Sequence, residues 1–330
     1  MKVLIIKLGA IGDVVMAMPL LTHLHKKYPH ISITWVCGQQ VLPLLKNTRL
    51  IDRLIVVDEK KLLKGSFFAK LSTLLFTWSK LFGRSFDLCL IGYADPRYRL
   101  LTWPTLCKKK RSFYRSSKGQ FPIPGRYHSY EYLRLAEIAH DMPEFPALDL
   151  QTSAFSSRPI IILAPGGAKN LMADDALRRW PVAYYATLIQ LLEKLPYEIV
   201  VTGSEEDQWV CDHFSHLSYT NLIGKLSLLE LTALLKEAKL LITHDSGPLH
   251  LGKLVDCATI ALFGPTNPWE KVSKNENIRV LWGGGQLACR PCYDGKGYAQ
   301  CSDQQCLRAI HPQTVFDAVV DILHRERAKR

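Results

Sequence analysis

No apolar run in this 330-residue chain is long and clean enough to cross a bilayer as a helix. The longest candidate, residues 67–82, is broken by Lys70 and Lys80. The opening residues do not read as a secretory signal. Met1-Lys2-Val3-Leu4-Ile5-Ile6 has a basic start and an apolar continuation, but Lys7, Gly9, Gly12 and Asp13 interrupt it and no small-residue cleavage site follows. The segment reads as a buried first strand, and the protein as cytoplasmic. Gly9 and Gly12 lack the third glycine of the dinucleotide fingerprint, which argues against hydride chemistry. Acidic residues are in deficit, 30 against 42 Lys and Arg, leaving a formal charge of +12. Such an excess is either a solubilising surface or a match for phosphorylated ligands or an acidic membrane. No recognition motif accompanies the basic runs, so nucleic acid is not an expected partner.

What is present is a repeating rhythm. A chain of this length with 48% hydrophobic residues fits two ordinary domains. Apolar runs alternate with helical patterns, as in parallel sheets with crossover helices. Strands are expected at 3–6, 33–36, 53–57 and 88–91, then at 160–163, 198–201, 240–243 and 259–263. Helices are expected at 14–27, 182–195, 208–216 and 228–237. Residues 143–158 carry prolines and no periodicity, which places a boundary between domains 1–155 and 156–330. The fold class is α/β: two doubly wound domains facing a cleft, with ligands beyond the carboxyl ends of the strands. Phe67, Phe68, Leu71, Leu74, Leu75, Trp78 and Phe82 recur at helical spacing near Lys60, Lys61, Lys64 and Arg84. They mark either a helix packed on the core or a surface helix that touches anionic lipid.

Chemistry concentrates where strands end. His244-Asp245-Ser246-Gly247-Pro248-Leu249-His250 follows an apolar strand and opens a helix, so free N–H groups and a positive dipole end are presented to a phosphate. Asp245 and His250 add groups suited to sugar hydroxyls and phosphate. In Lys7-Leu8-Gly9-Ala10-Ile11-Gly12-Asp13, Gly9 and Gly12 let backbone approach a ligand; Asp13 either caps a helix starting at Val14 or accepts a proton from an attacking hydroxyl. Gly166 and Gly167 expose N–H groups, with Lys169 and Arg178 as cations for a diphosphate leaving group. Arg178 and Arg179 also read as a solvated face. In Thr202-Gly203-Ser204-Glu205-Glu206, the carboxylates suit ribose hydroxyls or serve the next helix.

Taken together these loops resemble glycosyltransferase family nine, the ADP-heptose:lipopolysaccharide heptosyltransferases. The matching pieces are residues 5–14, Pro165-Gly166-Gly167, Arg178-Arg179-Trp180-Pro181, residues 221–225, Asp245-Ser246-Gly247 with His250, and residues 262–266. The resemblance implies a GT-B architecture, two Rossmann-like domains with acceptor on the first and donor on the second. It implies inverting transfer of heptose from ADP-heptose to a lipopolysaccharide core and lipid A acceptor, at most peripheral contact with the inner membrane, and no cofactor for catalysis. On this likeness Asp13 is the general base, Arg178 stands where the family usually has a phosphate-contacting lysine, and Glu205 or Glu206 faces the ribose. Asp245, Ser246, Gly247 and His250 embrace diphosphate and sugar. Between Gly167 and Arg178 the chain is longer than in the best-known members, so Lys169 or Asn170 shares the phosphate role. Lys108-Lys109-Lys110-Arg111 is either a solvated turn or a contact for phosphorylated core sugar or anionic lipid.

Four of the nine cysteines, Cys289, Cys292, Cys301 and Cys306, follow the pattern C-x2-C-x8-C-x4-C. In a reducing compartment this spacing suits a structural zinc or iron, with unligated thiols and disulfides as the other readings. Gly295 and Gly297 would allow a tight knuckle, remote from the donor loops. Cys37, Cys89, Cys107, Cys211 and Cys257 lie in or beside apolar segments as bystanders. A metal cluster would also suit a branch of the family that heptosylates protein. An inactive ADP-sugar-binding scaffold is the third reading.

Overall fold

The computed structural model describes residues 1–328 except 117–118, 139–141, 152–154, 170–173, 275–276 and 295–296. Asn170 and Gly295 lie outside the described residues. The chain forms two compact units, Met1–Asp149 and Leu150–Arg330, and the division falls inside the unpatterned 143–158 stretch.

The first unit is built on β1 (Lys2–Ile6), β2 (Ser32–Gly38), β3 (Arg53–Val57), β4 (Ser85–Ile91) and β5 (Leu106–Ser112). They form one sheet in the order β3-β2-β1-β4-β5, with every neighbour pair parallel. Val3, Leu4, Ile5 and Ile6 are all buried, as a central parallel strand covered on both faces requires. The chain moves outward from β1 through β2 to β3, then restarts on the other side with β4. That reversal puts a crevice beyond the ends of β1 and β4. A short hairpin, β6 (Tyr114–Ser116) and β7 (Gly119–Phe121), stands apart from the sheet.

Two expectations are corrected here. The single helix expected over 14–27 is two, Ile11–Ala17 and Pro19–Lys27, because Pro19 has no N–H to continue the first and its fixed φ suits the first position of the second. The basic run at 108–111 is not a turn but part of β5. Its side chains pair with acids, Lys108 with Asp87 and Lys109 with Glu137, each at 2.8 Å. Lysines on an edge strand oppose pairing with another chain.

The second unit repeats the plan with β8 (Ile160–Ala164), β9 (Glu198–Val201), β10 (Thr220–Asn221), β11 (Leu240–His244), β12 (Thr259–Phe263) and β13 (Ile278–Trp282), in the order β10-β9-β8-β11-β12-β13. All pairs are again parallel. Ile161, Leu163, Ile242 and Leu262 meet Tyr185, Leu188, Phe214 and Val319 in one core. Helix Val182–Leu192 stops short of the expected 195, ahead of Pro196. Helix Leu228–Glu237 starts at a capping box made by Ser227 and Glu230. The reversal here lies between β8 and β11.

Candidate functional site

In the first unit the loop after β1 carries Lys7, whose side chain is 3% exposed, and its ammonium lies 2.9 Å from Asp13 Oδ2. Asp13 itself is 40% exposed, so one flank of the carboxylate is anchored while another is open to a ligand. The same ammonium sits 3.9 Å over the ring of Tyr93, which follows β4. The Tyr93 hydroxyl accepts from the N–H groups of Leu8 and Gly9, both at 3.0 Å, and donates to Gly9 O at 2.7 Å. The loops after β1 and β4 are thereby tied together at the reversal.

Asp13 is not the helix cap. Helix Ile11–Ala17 begins with Ala10 at its N-cap, so buried Gly12 and Asp13 lie within its first turn, where the dipole favours a carboxylate. Glu59, just beyond β3, packs on Gly9 so closely that a Cβ there would lie 2.6 Å from its Oε2. Burial pushes the Glu59 carboxyl above its ordinary value despite the pull of Lys7. Neither Lys7 nor Glu59 was read from the sequence as a site residue. Their one signal was position, immediately past the end of a strand.

In the second unit the Gly166-Gly167 turn is held from below by Asp207. Its Oδ1 accepts from Gly167 N at 2.8 Å, and its Oδ2 accepts from Ser204 N at 2.8 Å and Ser204 Oγ at 2.7 Å. A Cβ on Gly166 would lie 2.3 Å from the Asp207 carboxyl carbon, which leaves only glycine room there. The Gly167 N–H is thus engaged by the protein rather than offered to a ligand. Asp207 is the buried carboxylate of the 202–207 turn, while Glu205 is exposed beside Gly224 and Glu206 pairs with Lys169 at 2.7 Å.

Arg178, at the end of the short turn Ala176–Arg178, reaches the loop after β11. Its Nη1 donates to Asp245 O at 3.1 Å and lies 3.5 Å from Asp245 Oδ2, and its Nη2 donates to Asp175 at 2.7 Å. Burial works to raise the Asp245 carboxyl, but Arg178, Lys271 and His250 outweigh it and hold the group below the usual carboxylate range. Arg179 donates to Gly167 O at 2.8 Å, and Trp180 is buried with its Nε1 donating to Ile310 O at 2.9 Å. Ser246 is the N-cap of helix Gly247–Leu254; its Oγ lies 3.1 Å from Thr243 Oγ1, and it caps no helix N–H. A Cβ on Gly167 would sit 3.5 Å from that of Ser246, so the two loops converge. The structure therefore brings together Gly166, Gly167, Arg178, Asp245, Ser246, Gly247 and buried His250. Lys169 and Glu205 stand at the rim.

Among the described residues no three His, Cys, Asp or Glu side chains are arranged to hold a metal ion. Cys289 and Cys301 are exposed, and burial pushes the thiols of Cys292 and Cys306 above their ordinary value. A Tyr293–Tyr298 bridge closes the stretch between Cys292 and Cys301. The cysteine segment is not remote from the donor loops. Cys292 N donates to Pro265 O at 2.9 Å, and a Cβ on Gly264 would lie 2.7 Å from Cys306 Sγ. Gln304 reaches Ala176 O at 3.1 Å, in the turn that carries Arg178.

Two Rossmann-like doubly wound domains, each with charged loops at its reversal, define the GT-B class of sugar transferases. Residues 133–301 match the model of glycosyltransferase family 9 (heptosyltransferase), and the chain belongs to that family. It is 25% identical over 296 residues to the lipopolysaccharide core heptosyltransferase OpsX of Haemophilus influenzae, covering 84% of this chain and 83% of that one. The family 9 glycosyltransferase of Veillonella parvula superposes with a TM-score of 0.74 at 21% identity, over 98% of this chain and 97% of that one. The Escherichia coli heptosyltransferase WaaC with ADP-2-deoxy-2-fluoro heptose gives 0.70 at 18% identity, over 97% and 99%.

Proposed function

We propose that this protein transfers a heptose from ADP-heptose to the inner core of lipopolysaccharide, with inversion at the anomeric carbon. The observation that carries the reading is the convergence of the Gly166-Gly167 turn, Arg178 and the Asp245-Ser246-Gly247 helix start at the β8/β11 reversal. The lipopolysaccharide acceptor of OpsX and the ADP-heptose analogue held by WaaC support the choice of substrates. In this account domain 156–330 binds the donor and domain 1–155 the acceptor. The N-terminus of helix Gly247–Leu254, with Ser246, receives the diphosphate, and Arg178 and Lys169 balance its charge. Glu205 meets the ribose, and Asp245, buried beside His250, holds Arg178 in place at the edge of the donor site. Asp13, oriented by Lys7, takes the proton of an acceptor hydroxyl as that oxygen bonds to the anomeric carbon. The bond from that carbon to the ADP oxygen breaks, and its electron pair leaves with ADP.

No metal enters this mechanism. The proposed location is the cytoplasm, against the inner face of the inner membrane. A screen of nucleotide sugars with delipidated core acceptors of decreasing length, read by nucleoside diphosphate release, tests the proposal. ADP-heptose should give release that depends on the acceptor. Turnover of another nucleotide sugar but not ADP-heptose would overturn it.

A further inference from the structure

Helix Phe67–Leu81 is turned inside out. Its buried positions are Thr73, Thr77 and Leu81, four residues apart, and the two threonine hydroxyls donate to backbone carbonyls of their own helix at 2.8 Å. The apolar stripe at Phe68, Leu71 and Leu75, continued by Phe82, faces away from the core. Phe67 is 74% exposed, Phe68 79% and Phe82 78%. The patch extends onto the turn after helix Pro96–Leu100. Trp78 Nε1 donates to Leu100 O at 2.8 Å, and its ring lies 5.1 Å from that of Trp103, itself 69% exposed. Exposed aromatics gathered on one helix face mark an interaction surface.

Charge selects the occupant. Residues 60–84 hold Lys60, Lys61, Lys64, Lys70, Lys80 and Arg84 and not one Asp or Glu. A second copy of the chain would bring the same cationic rim against itself, which like charges oppose. A bilayer containing anionic lipid complements both halves of the surface, taking the aromatics at the headgroup boundary while the long cationic side chains reach phosphates. Among the described residues no helix is long and apolar enough to cross a membrane. We propose that this face docks the protein on an anionic bilayer, with helix Phe67–Leu81 lying in the plane of the interface. The proposal deepens the location given above and does not depend on the transfer chemistry.

Vesicle co-sedimentation tests it. The full chain should pellet with phosphatidylglycerol-containing vesicles, far less with pure phosphatidylcholine, and release as salt rises. Phe67→Ser/Phe68→Ser/Phe82→Ser/Trp103→Ser should lower that partition at least ~10-fold, while ADP release with a delipidated acceptor is unchanged. Lys70→Glu/Lys80→Glu leaves the aromatics in place and should also weaken binding to anionic vesicles, which separates docking from a folding defect. Equal partition of wild type and both variants would overturn the proposal. So would a dimer in sedimentation velocity that the aromatic variant dissolves, since the face would then belong to a second copy. Loss of transfer with vesicle binding intact would count against the enzyme reading alone.

Discussion

Arg178 and Asp245 form a buried ion pair whose members depend on each other. Arg178→Ala leaves the fully buried Asp245 carboxylate without its main counter-charge and also releases Asp175. Removing one partner of such a pair costs about 3–5 kcal/mol, so urea unfolding of the variant should show a loss of that size. A loss below about 1 kcal/mol, the range of exposed pairs, would show that solvent already screens it. His244, one residue upstream, contributes a pH dependence. Burial first, then the charge of Arg178, lowers its pKa from 6.5 to about 3. The folded chain keeps this ring neutral between those values while the unfolded chain protonates it. Stability from this group is therefore intact above pH 6.5 and falls as pH drops toward 3, by at most about 1.4 kcal/mol per pH unit. His244→Asn should flatten that slope in denaturation series from pH 7 to 4; an unchanged slope would contradict the assignment.

At the scale of elements, the turn at Gly166 is fixed by what lies beneath it. Gly166→Ala must displace Asp207 and with it the hydrogen bonds to Gly167 and Ser204. The expected cost is about 2–4 kcal/mol with weakened ADP binding, whereas Gly285→Ala, where nothing lies within 4 Å of the added carbon, should be nearly neutral. Thermal melts and ADP calorimetry on both variants check this, and equal melting temperatures would contradict it. The eight strands read from apolar runs are all present: seven are interior parallel strands, apolar on both faces, and the edge strand β3 keeps the run Leu54-Ile55-Val56-Val57. β5 was hidden by the charges that protect an edge, β10 is two residues long, and the apolar run of β13 is interrupted by Arg279 after its first residue. Asp207 was hidden because Glu205 and Glu206 precede it on the same turn, and local sequence does not say which carboxylate points inward.

For the molecule as a whole, six of the 42 basic residues, Lys60, Lys61, Lys64, Lys70, Lys80 and Arg84, lie on or beside the helix at 67–81. Its apolar spacing was legible, but a stripe looks the same in sequence whether it meets a core or a membrane. The distinguishing sign was the opposite stripe, Thr73 and Thr77, which the core accepts because both hydroxyls are satisfied within the helix. The site was legible as loops after strands and through its family likeness. The partners that orient it, Lys7 for Asp13 and Asp207 for Gly167, required the fold. Comparing Asp13→Asn with wild type in heptose transfer from ADP-heptose, alongside calorimetric ADP affinity, tests the central claim most directly. A positioned base predicts turnover lower by at least ~100-fold with ADP affinity nearly unchanged. Turnover equal to wild type would contradict it.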